Sequence, residues 1–254
     1  MTIKDGWRIV SVPGIDPIDV GVAREHALAD QLTGLLSPPA LMIWRSQRAL
    51  LISRSDARLP QFRDAANELQ AAGWPVLVRK SGGSACPVGP GSVQVSMIET
   101  ARSGPMMDAK YAQLAALMQA MLCHFQIVAQ TGLVAGAYCP GKYDLAVAGN
   151  KIAGMSQFWF RNSCGVRCVL TAGSINVEEA PDAFACVVNR FYSRAGGALR
   201  CNPATLTNMR LSGGASAVLG TDFVAAVMSE LGSIANTAAG PQAFNFVRHA
   251  PLIS

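Results

Sequence analysis

Apolar residues recur along this chain with two periods, and each period predicts a different kind of element. Tyr111, Leu114, Leu117, Met118, Met121, Leu122 and Phe125 fall on one helical face, which predicts the clearest helix, with Asp108 as its cap. Further helices are predicted from an Asp19 cap to about Leu36, from roughly Phe62 to Ala72 with a stop at Gly73, from about Pro181 to Tyr192, and near Ala217 to Leu231. Strand signals lie between them. Ala40 to Trp44 and Ala49 to Ser53 read as a pair around an Arg45-Ser-Gln-Arg48 turn, and Val76 to Arg79 and Ser92 to Ile98 flank the glycine pair of Ser81-Gly-Gly83. Tyr143, Leu145 and Val147 alternate up to an Ala148-Gly-Asn150 turn, after which Lys151 to Phe160 returns as a strand and Val166 to Thr171 comes next as another.

Helices and strands mixed in this order, with several hairpin-length connections, predict an α+β fold with a mixed, largely antiparallel central sheet flanked by helices. There is no internal repeat and no low-complexity linker. Residues 1–201 are expected to form one domain, and residues 202–254, opening on Pro203 and broken at Gly213-Gly214, a C-terminal extension packed on it.

Composition narrows the function classes. The chain has 254 residues, half of them apolar, so it can bury a sizeable core. No apolar run approaches the length of a membrane span and Met1 to Gly14 lacks the apolar core of a signal peptide, so no membrane association is expected and the cytoplasm is the expected compartment. Seven cysteines, an odd number scattered through apolar and loop contexts, fit reduced thiols rather than a disulfide framework. The net charge of +5 is not gathered into a basic stripe with interleaved aromatics, which argues against nucleic acid and suits an acidic protein partner or an anionic group. Cys164 and Cys168 have the spacing of a zinc half-site, but no second pair accompanies them and His26, His124 and His249 are isolated, so no metal site is expected.

Two stretches carry candidate chemistry. In Val78-Arg-Lys-Ser-Gly-Gly-Ser-Ala85 the glycines allow a ligand close backbone approach, and Arg79 and Lys80 supply positive charge for a phosphate or carboxylate; an ordinary hairpin turn is the plain alternative. In Tyr138-Cys-Pro-Gly-Lys-Tyr-Asp-Leu145 the neighbouring proline and glycine hold Cys139 out of helix and central strand, on a loop where a thiolate can be reached. Lys142 and Lys151 are the cations near enough in sequence or across the hairpin to favour that thiolate. Cys86, in a second Pro/Gly-containing loop with apolar neighbours, is the rival thiol, and His124, on the helical stripe, reads as a packed residue.

Arg79-Lys-Ser-Gly-Gly83, Gly141-Lys-Tyr-Asp-Leu-Ala-Val147 and Asn150-Lys-Ile-Ala-Gly-Met-Ser-Gln157, in this order, resemble the signatures of the lipoate-protein ligase and octanoyltransferase family, related to biotin-protein ligases, over about Arg24 to Arg194. The resemblance implies that fold, with residues 1–201 as the catalytic acyltransferase domain. It implies that Lys151 contacts the acyl carbonyl, and that Arg79, Ser81, Gly82, Gly83, Gly141, Tyr143, Asp144, Gly154 and Gln157 form the acyl and substrate site. Cys139, directly before Pro-Gly-Lys-Tyr-Asp-Leu, is similar to the acyl-carrying nucleophile of the octanoyl amidotransferase branch, whereas ATP-using ligases generally lack it. The activity implied by the resemblance is transfer of an octanoyl or lipoyl group through a cysteine thioester to a lysine of a lipoyl-accepting domain. The expected partners are lipoyl domains of 2-oxoacid dehydrogenase complexes or glycine cleavage H protein, with acyl carrier protein as a further donor, and no cofactor is required. An ATP- and magnesium-dependent lipoate ligase and a non-catalytic binding relative are the alternatives.

Overall fold

The structure is a computed structural model and describes residues 2–4, 7–101, 107–213 and 222–237. Its spine is an eight-stranded sheet in the order β1-β2-β3-β7-β11-β10-β9-β8. The strands are β1 (Thr2–Lys4), β2 (Trp7–Asp16), β3 (Ala40–Ser46), β7 (Ser92–Thr100), β8 (Gln130–Thr131), β9 (Leu145–Val147), β10 (Asn150–Arg161) and β11 (Arg167–Asn176). Among the described residues only β2 and β3 run parallel; every other pairing in this sheet is antiparallel. A separate three-stranded sheet, β5-β4-β6, is built from β4 (Ala49–Ile52), β5 (Val76–Val78) and β6 (Cys86–Val88). The α-helices among the described residues are α1 (Ile18–Asp30), α2 (Phe62–Ala71), α3 (Met107–His124), α4 (Pro181–Ala195) and α5 (Phe223–Thr237).

The alternation of strand side chains divides the core. On β7, Val93, Val95 and Met97 join Leu114, Met118 and Met121 of α3 and Val224 and Met228 of α5 in the largest apolar cluster. The opposite face carries Gln94, Ser96 and Ile98, with α1 nearby and Ile98 in a second cluster with Met42 and Trp44. A third cluster joins the small sheet to α2 and α4 through Leu50, Ile52, Leu69, Phe184, Val188 and Phe191. Phe223, Val224, Val227, Met228 and Leu231, all after residue 201, belong to the same cluster as α3.

Several elements differ from the sequence expectation. Ala40–Ser46 and Ala49–Ile52 are not partners: the chain passes from one sheet to the other at Gln47 and Arg48, and β3 pairs with β2 and β7 while β4 pairs with β5 and β6. The glycine pair at 82–83 is not a hairpin turn either, because β5 and β6 flank β4 on opposite sides. β1 and β2 carried no recognised signal; most of β2 after Ile9 is half-buried or exposed, so its apolar alternation is short. Asp19 and Asp108 lie in the first turns of α1 and α3 rather than at caps, Pro17 holds the first N-cap, and α1 ends at Asp30, well before Leu36. The helix expected near Ala217 begins at Phe223, residues 214–221 lying outside the described ones. Among the described residues no helix is long and apolar enough to cross a membrane.

Gly21 shows how closely α1 is set on the sheet. A β-carbon there would lie 1.9 Å from Cζ3 of the buried Trp44 ring, so α1 packs on the indole only because position 21 has no side chain. Gly21→Ala gains helix propensity but must displace that ring, and a net loss of about 1–2 kcal/mol is expected in urea unfolding. A variant more stable than wild type would show that Trp44 yields freely.

Candidate active site

The hairpin of β9 and β10 turns at Ala148 and Gly149, both with positive φ (49° and 84°), the conformation that a two-residue turn of this hand requires. It brings Asp144, just before β9, against Lys151 at the start of β10. Lys151 is 2 % exposed, one of the largest fully buried side chains among the described residues. Its three ammonium protons are matched by three acceptors: Asp144 Oδ2 at 2.9 Å, the Tyr138 carbonyl at 2.9 Å and the Cys139 carbonyl at 2.8 Å. Nζ also lies 4.8 Å from the centre of the Tyr138 ring. Gly154 makes room for it, since a β-carbon there would stand 3.0 Å from both Cε and Nζ. Asp144 in turn accepts from the Gly141 N–H at 2.9 Å. Burial pushes the Asp144 carboxyl up, and the Lys151 ammonium and the Gly141 N–H oppose that rise without cancelling it.

Cys139 stands directly above this pair in a left-handed backbone conformation, φ 41°, which a residue with a side chain adopts only when its surroundings impose it. Here the Lys151 ammonium grips the carbonyls of residues 138 and 139. The thiol receives two donors, Arg79 Nη2 and the Ser84 N–H, each at 3.3 Å, and Arg79 Nη2 also donates to the Ser84 carbonyl at 2.7 Å. Burial raises the Cys139 pKa, but the charges of Arg79 and Lys151 and the hydrogen bonds from Ser84 and Arg79 outweigh it, so the thiol lies below its ordinary value. Cys86 shows the opposite balance: burial dominates and pushes it up to about 11. The two thiols are therefore separated by electrostatics, and Cys139 is the one whose surroundings favour the thiolate.

Both thiols open onto one cavity of about 220 Å³. Val22, Leu51, Leu77, Met155, Phe158 and Leu170 give it apolar walls, with Arg79, Cys139 and Lys151 among the polar groups that line it. Its dimensions and lining suit an alkyl chain with a carbonyl presented to the thiol.

The expected site residues divide. Arg79, Ser81, Cys139, Lys151 and Gly154 line the cavity, Asp144 lies directly beneath it, and Gly141 fixes Asp144. Gly83, with φ 100°, lets the chain pass over the thiol: a β-carbon there would sit 2.7 Å from Cys139 Sγ and 2.6 Å from Arg79 Nη2. Gly82 has open space around it. Tyr143 stacks on Tyr111 of α3 at 5.0 Å, and Gln157 donates to the Met107 carbonyl at 2.9 Å; neither lines the cavity, and both tie the hairpin to α3. Lys142 pairs with Asp108 at the surface and is not among the main groups that shift Cys139. Cys86 lies in strand β6 rather than a loop, and His124, exposed, pairs with Glu230 and meets the Phe125 ring edge-on. Sequence reasoning missed the contact of Arg79 with the thiol, the Ser84 N–H, and Glu25 of α1, which lines the cavity while almost wholly buried. Among the described residues no group of three or more His, Cys, Asp or Glu is placed to hold a metal ion.

A sequence model of the lipoyl protein ligase A/B catalytic domain matches residues 17–229. The octanoyl-[GcvH]:protein N-octanoyltransferase of Kyrpidia tusciae is 30% identical over 241 residues, 93% of this chain and 82% of that protein. The enzyme of the same name from Bacillus velezensis is 30% identical over 200 residues, 77% of this chain and 68% of its own length. Among solved structures, lipoate-protein ligase A bound with ATP superposes with a TM-score of 0.65 at 13% identity, covering 92% of this chain and 86% of that one. The lipoic-acid complex of Ta0514, a protein of T. acidophilum described as a lipoate protein ligase, gives 0.56 at 16% identity, covering 91% of this chain and 95% of that one. The last two likenesses concern the fold.

Two substitutions test the electrostatics. Arg79→Met removes the foremost cation at the thiol, so the pH midpoint of Cys139 alkylation by iodoacetamide should move upward by about one pH unit; an unmoved midpoint in a folded variant would exclude Arg79 as the activating charge. Lys151→Met leaves a buried carboxylate unpaired and two carbonyls unmatched, and a loss of about 3–5 kcal/mol in denaturant unfolding is expected. A loss below about 1 kcal/mol, the range of a surface pair, would show that Asp144 finds another partner.

Proposed function

The chain belongs to the lipoyl protein ligase A/B catalytic-domain family, and from that premise we propose that it is an octanoyl or lipoyl acyltransferase of amidotransferase type, working through a thioester on Cys139. The observation that carries the reading is a thiol that receives Arg79 Nη2 and the Ser84 N–H and opens onto a largely apolar slot. The names of the relatives, octanoyl-[GcvH]:protein N-octanoyltransferases, support the same substrate class.

In the proposed reaction the Cys139 thiolate attacks the carbonyl carbon of an octanoyl amide on a donor lysine. The C–N bond breaks, the donor lysine leaves as an amine and takes up a proton, and a C–S bond has formed. The amine of an acceptor lysine then attacks the thioester carbonyl and loses a proton, the C–S bond breaks, and the thiolate returns. One amide replaces another, so the exchange is nearly isoenergetic and needs no ATP. Arg79 and the Ser84 N–H, which hold the thiolate, are the donors placed to meet the oxyanion as charge moves from sulfur to oxygen. Lys151 is a positioning residue in this scheme: its protons are taken by Asp144 and two carbonyls, it fixes the Cys139 backbone, and its charge favours the thiolate. Direct donation to the acyl carbonyl would require it to release one of those acceptors.

The donor in this reading is the octanoylated glycine cleavage H protein, with acyl carrier protein as a further source, and the acceptor is a lipoyl domain of a 2-oxoacid dehydrogenase complex. We assign the reaction to the cytoplasm, where seven free cysteines stay reduced.

Incubation with octanoylated H protein should add one octanoyl group to the chain, read by intact mass. Cys139→Ser should abolish the adduct while leaving the melting temperature close to wild type, because the change is nearly isosteric. An adduct that persists in the serine variant would move the nucleophile elsewhere, and transfer to a lipoyl domain that occurs only with ATP would replace the transferase by a ligase.

A further inference from the structure

The face of β7 turned to the slot is unusual for a wall that holds an alkyl chain. Gln94 and Ser96 point into it, and both are buried. From the other side α1 delivers Glu25, 6 % exposed, whose Oε1 accepts from the Ser96 hydroxyl, while Trp44 Nε1 donates to Ser96 Oγ at 3.3 Å. Glu25, Ser96 and Trp44 are thus a satisfied polar relay in the wall of a cavity that Val22, Leu51, Leu77, Phe158 and Leu170 also line. Its place is defined by the register: Gly154 pairs with Ser174, Ser174 with Gln94, and Ser156 reaches Ser96 through Ala172. The slot therefore crosses from β10, beside the thiol, over β11 to β7 and α1, two strand spacings or about 10 Å.

We propose that the Glu25–Ser96–Trp44 relay is the end wall of the acyl slot and the residue set that determines the chain length this protein accepts. The proposal rests on the reading of Cys139 as the acyl carrier and adds to it which chains fit. A chain that spans the slot ends with its methyl group against the relay and disturbs none of its hydrogen bonds. A longer chain must push Glu25 away from Ser96 and leave the Ser96 hydroxyl and the Glu25 carboxyl unmatched at a buried position, a cost that reads out as about tenfold or more in rate. Burial has already brought the Glu25 carboxyl up to about 7, so in its protonated form it can face a methyl group without presenting a charge.

The test uses thioesters of N-acetylcysteamine with straight-chain acids from hexanoyl to dodecanoyl, and intact mass to follow loading of Cys139. Thiolate attack on the thioester carbonyl forms the new C–S bond and expels the N-acetylcysteamine thiolate. In the wild-type chain the loading rate should rise to a limit near octanoyl and fall about tenfold or more by dodecanoyl. Glu25→Ala removes the wall and should move that limit to longer chains, whereas Glu25→Gln, which keeps size and hydrogen bonds, should leave it in place. A wild-type rate that continues to rise through dodecanoyl overturns the proposal whether or not the alanine variant folds, and so does an alanine variant that folds and keeps the wild-type profile. Absence of loading at Cys139 by every chain would instead overturn the acyl-carrier reading, and the proposal would fall with it.

Discussion

The buried ammonium of Lys151 is the constraint on which the site depends. A lysine without access to water is tolerable only if each of its protons meets an acceptor and its charge meets a counter-charge, and this one has Asp144 and two backbone carbonyls. Each partner then does something the site needs. Asp144 closes the turn before β9 by accepting from Gly141, the Tyr138 and Cys139 carbonyls hold the loop in the conformation that points Sγ at Arg79, and Gly154 is without a side chain because the lysine occupies that space.

Buried ion pairs are poor sources of stability, since an apolar pair of similar volume often does as well or better. Lys151 and Asp144 are better understood through what their charges do to Cys139. A thiol enclosed in this way would ordinarily be raised, as Cys86 is, into a range where it is inert. Arg79 and Lys151 reverse that for Cys139 alone. The small sheet contributes as much as the large one, because Arg79 comes directly after β5 and Ser84 precedes β6, so the nucleophile sits where a loop of one sheet closes over a loop of the other.

The part of this arrangement that is local in sequence was legible. The β9–β10 hairpin follows from alternation around a glycine turn, and a cysteine before Pro140 and Gly141 had to lie on a loop. The lysine and the carboxylate were both visible on that hairpin, but their burial as a pair was not, because burial depends on Tyr138, Leu206 and the rest of the chain folding over them. Arg79 is 60 residues from Cys139, and its charge suggested an anionic ligand until folding placed it on a thiol. Glu25 was invisible in another way. A charged residue on a helix reads as solvent-facing, and only the position of α1 over β7, permitted by Gly21 against Trp44, turns it inward. The sign that could have found it lies on β7, where Gln94 and Ser96 alternate with Val93, Val95 and Met97 in a strand buried on both faces.

Charge is arranged along the slot with a direction. Arg79 and Lys151 are at the thiol end, and the carboxyl that lines the slot, Glu25, is across the sheet from them. A carbonyl bound near Cys139 develops negative charge as the thiolate attacks, and it does so beside the Arg79 and Lys151 cations. At the other end no charge develops, so a group that is neutral when protonated is sufficient to finish the wall. The same burial that raises Glu25 toward neutrality would defeat the nucleophile if the cations were not beside it, so the order of the groups along the slot, rather than their presence alone, decides which end can hold the reacting carbonyl.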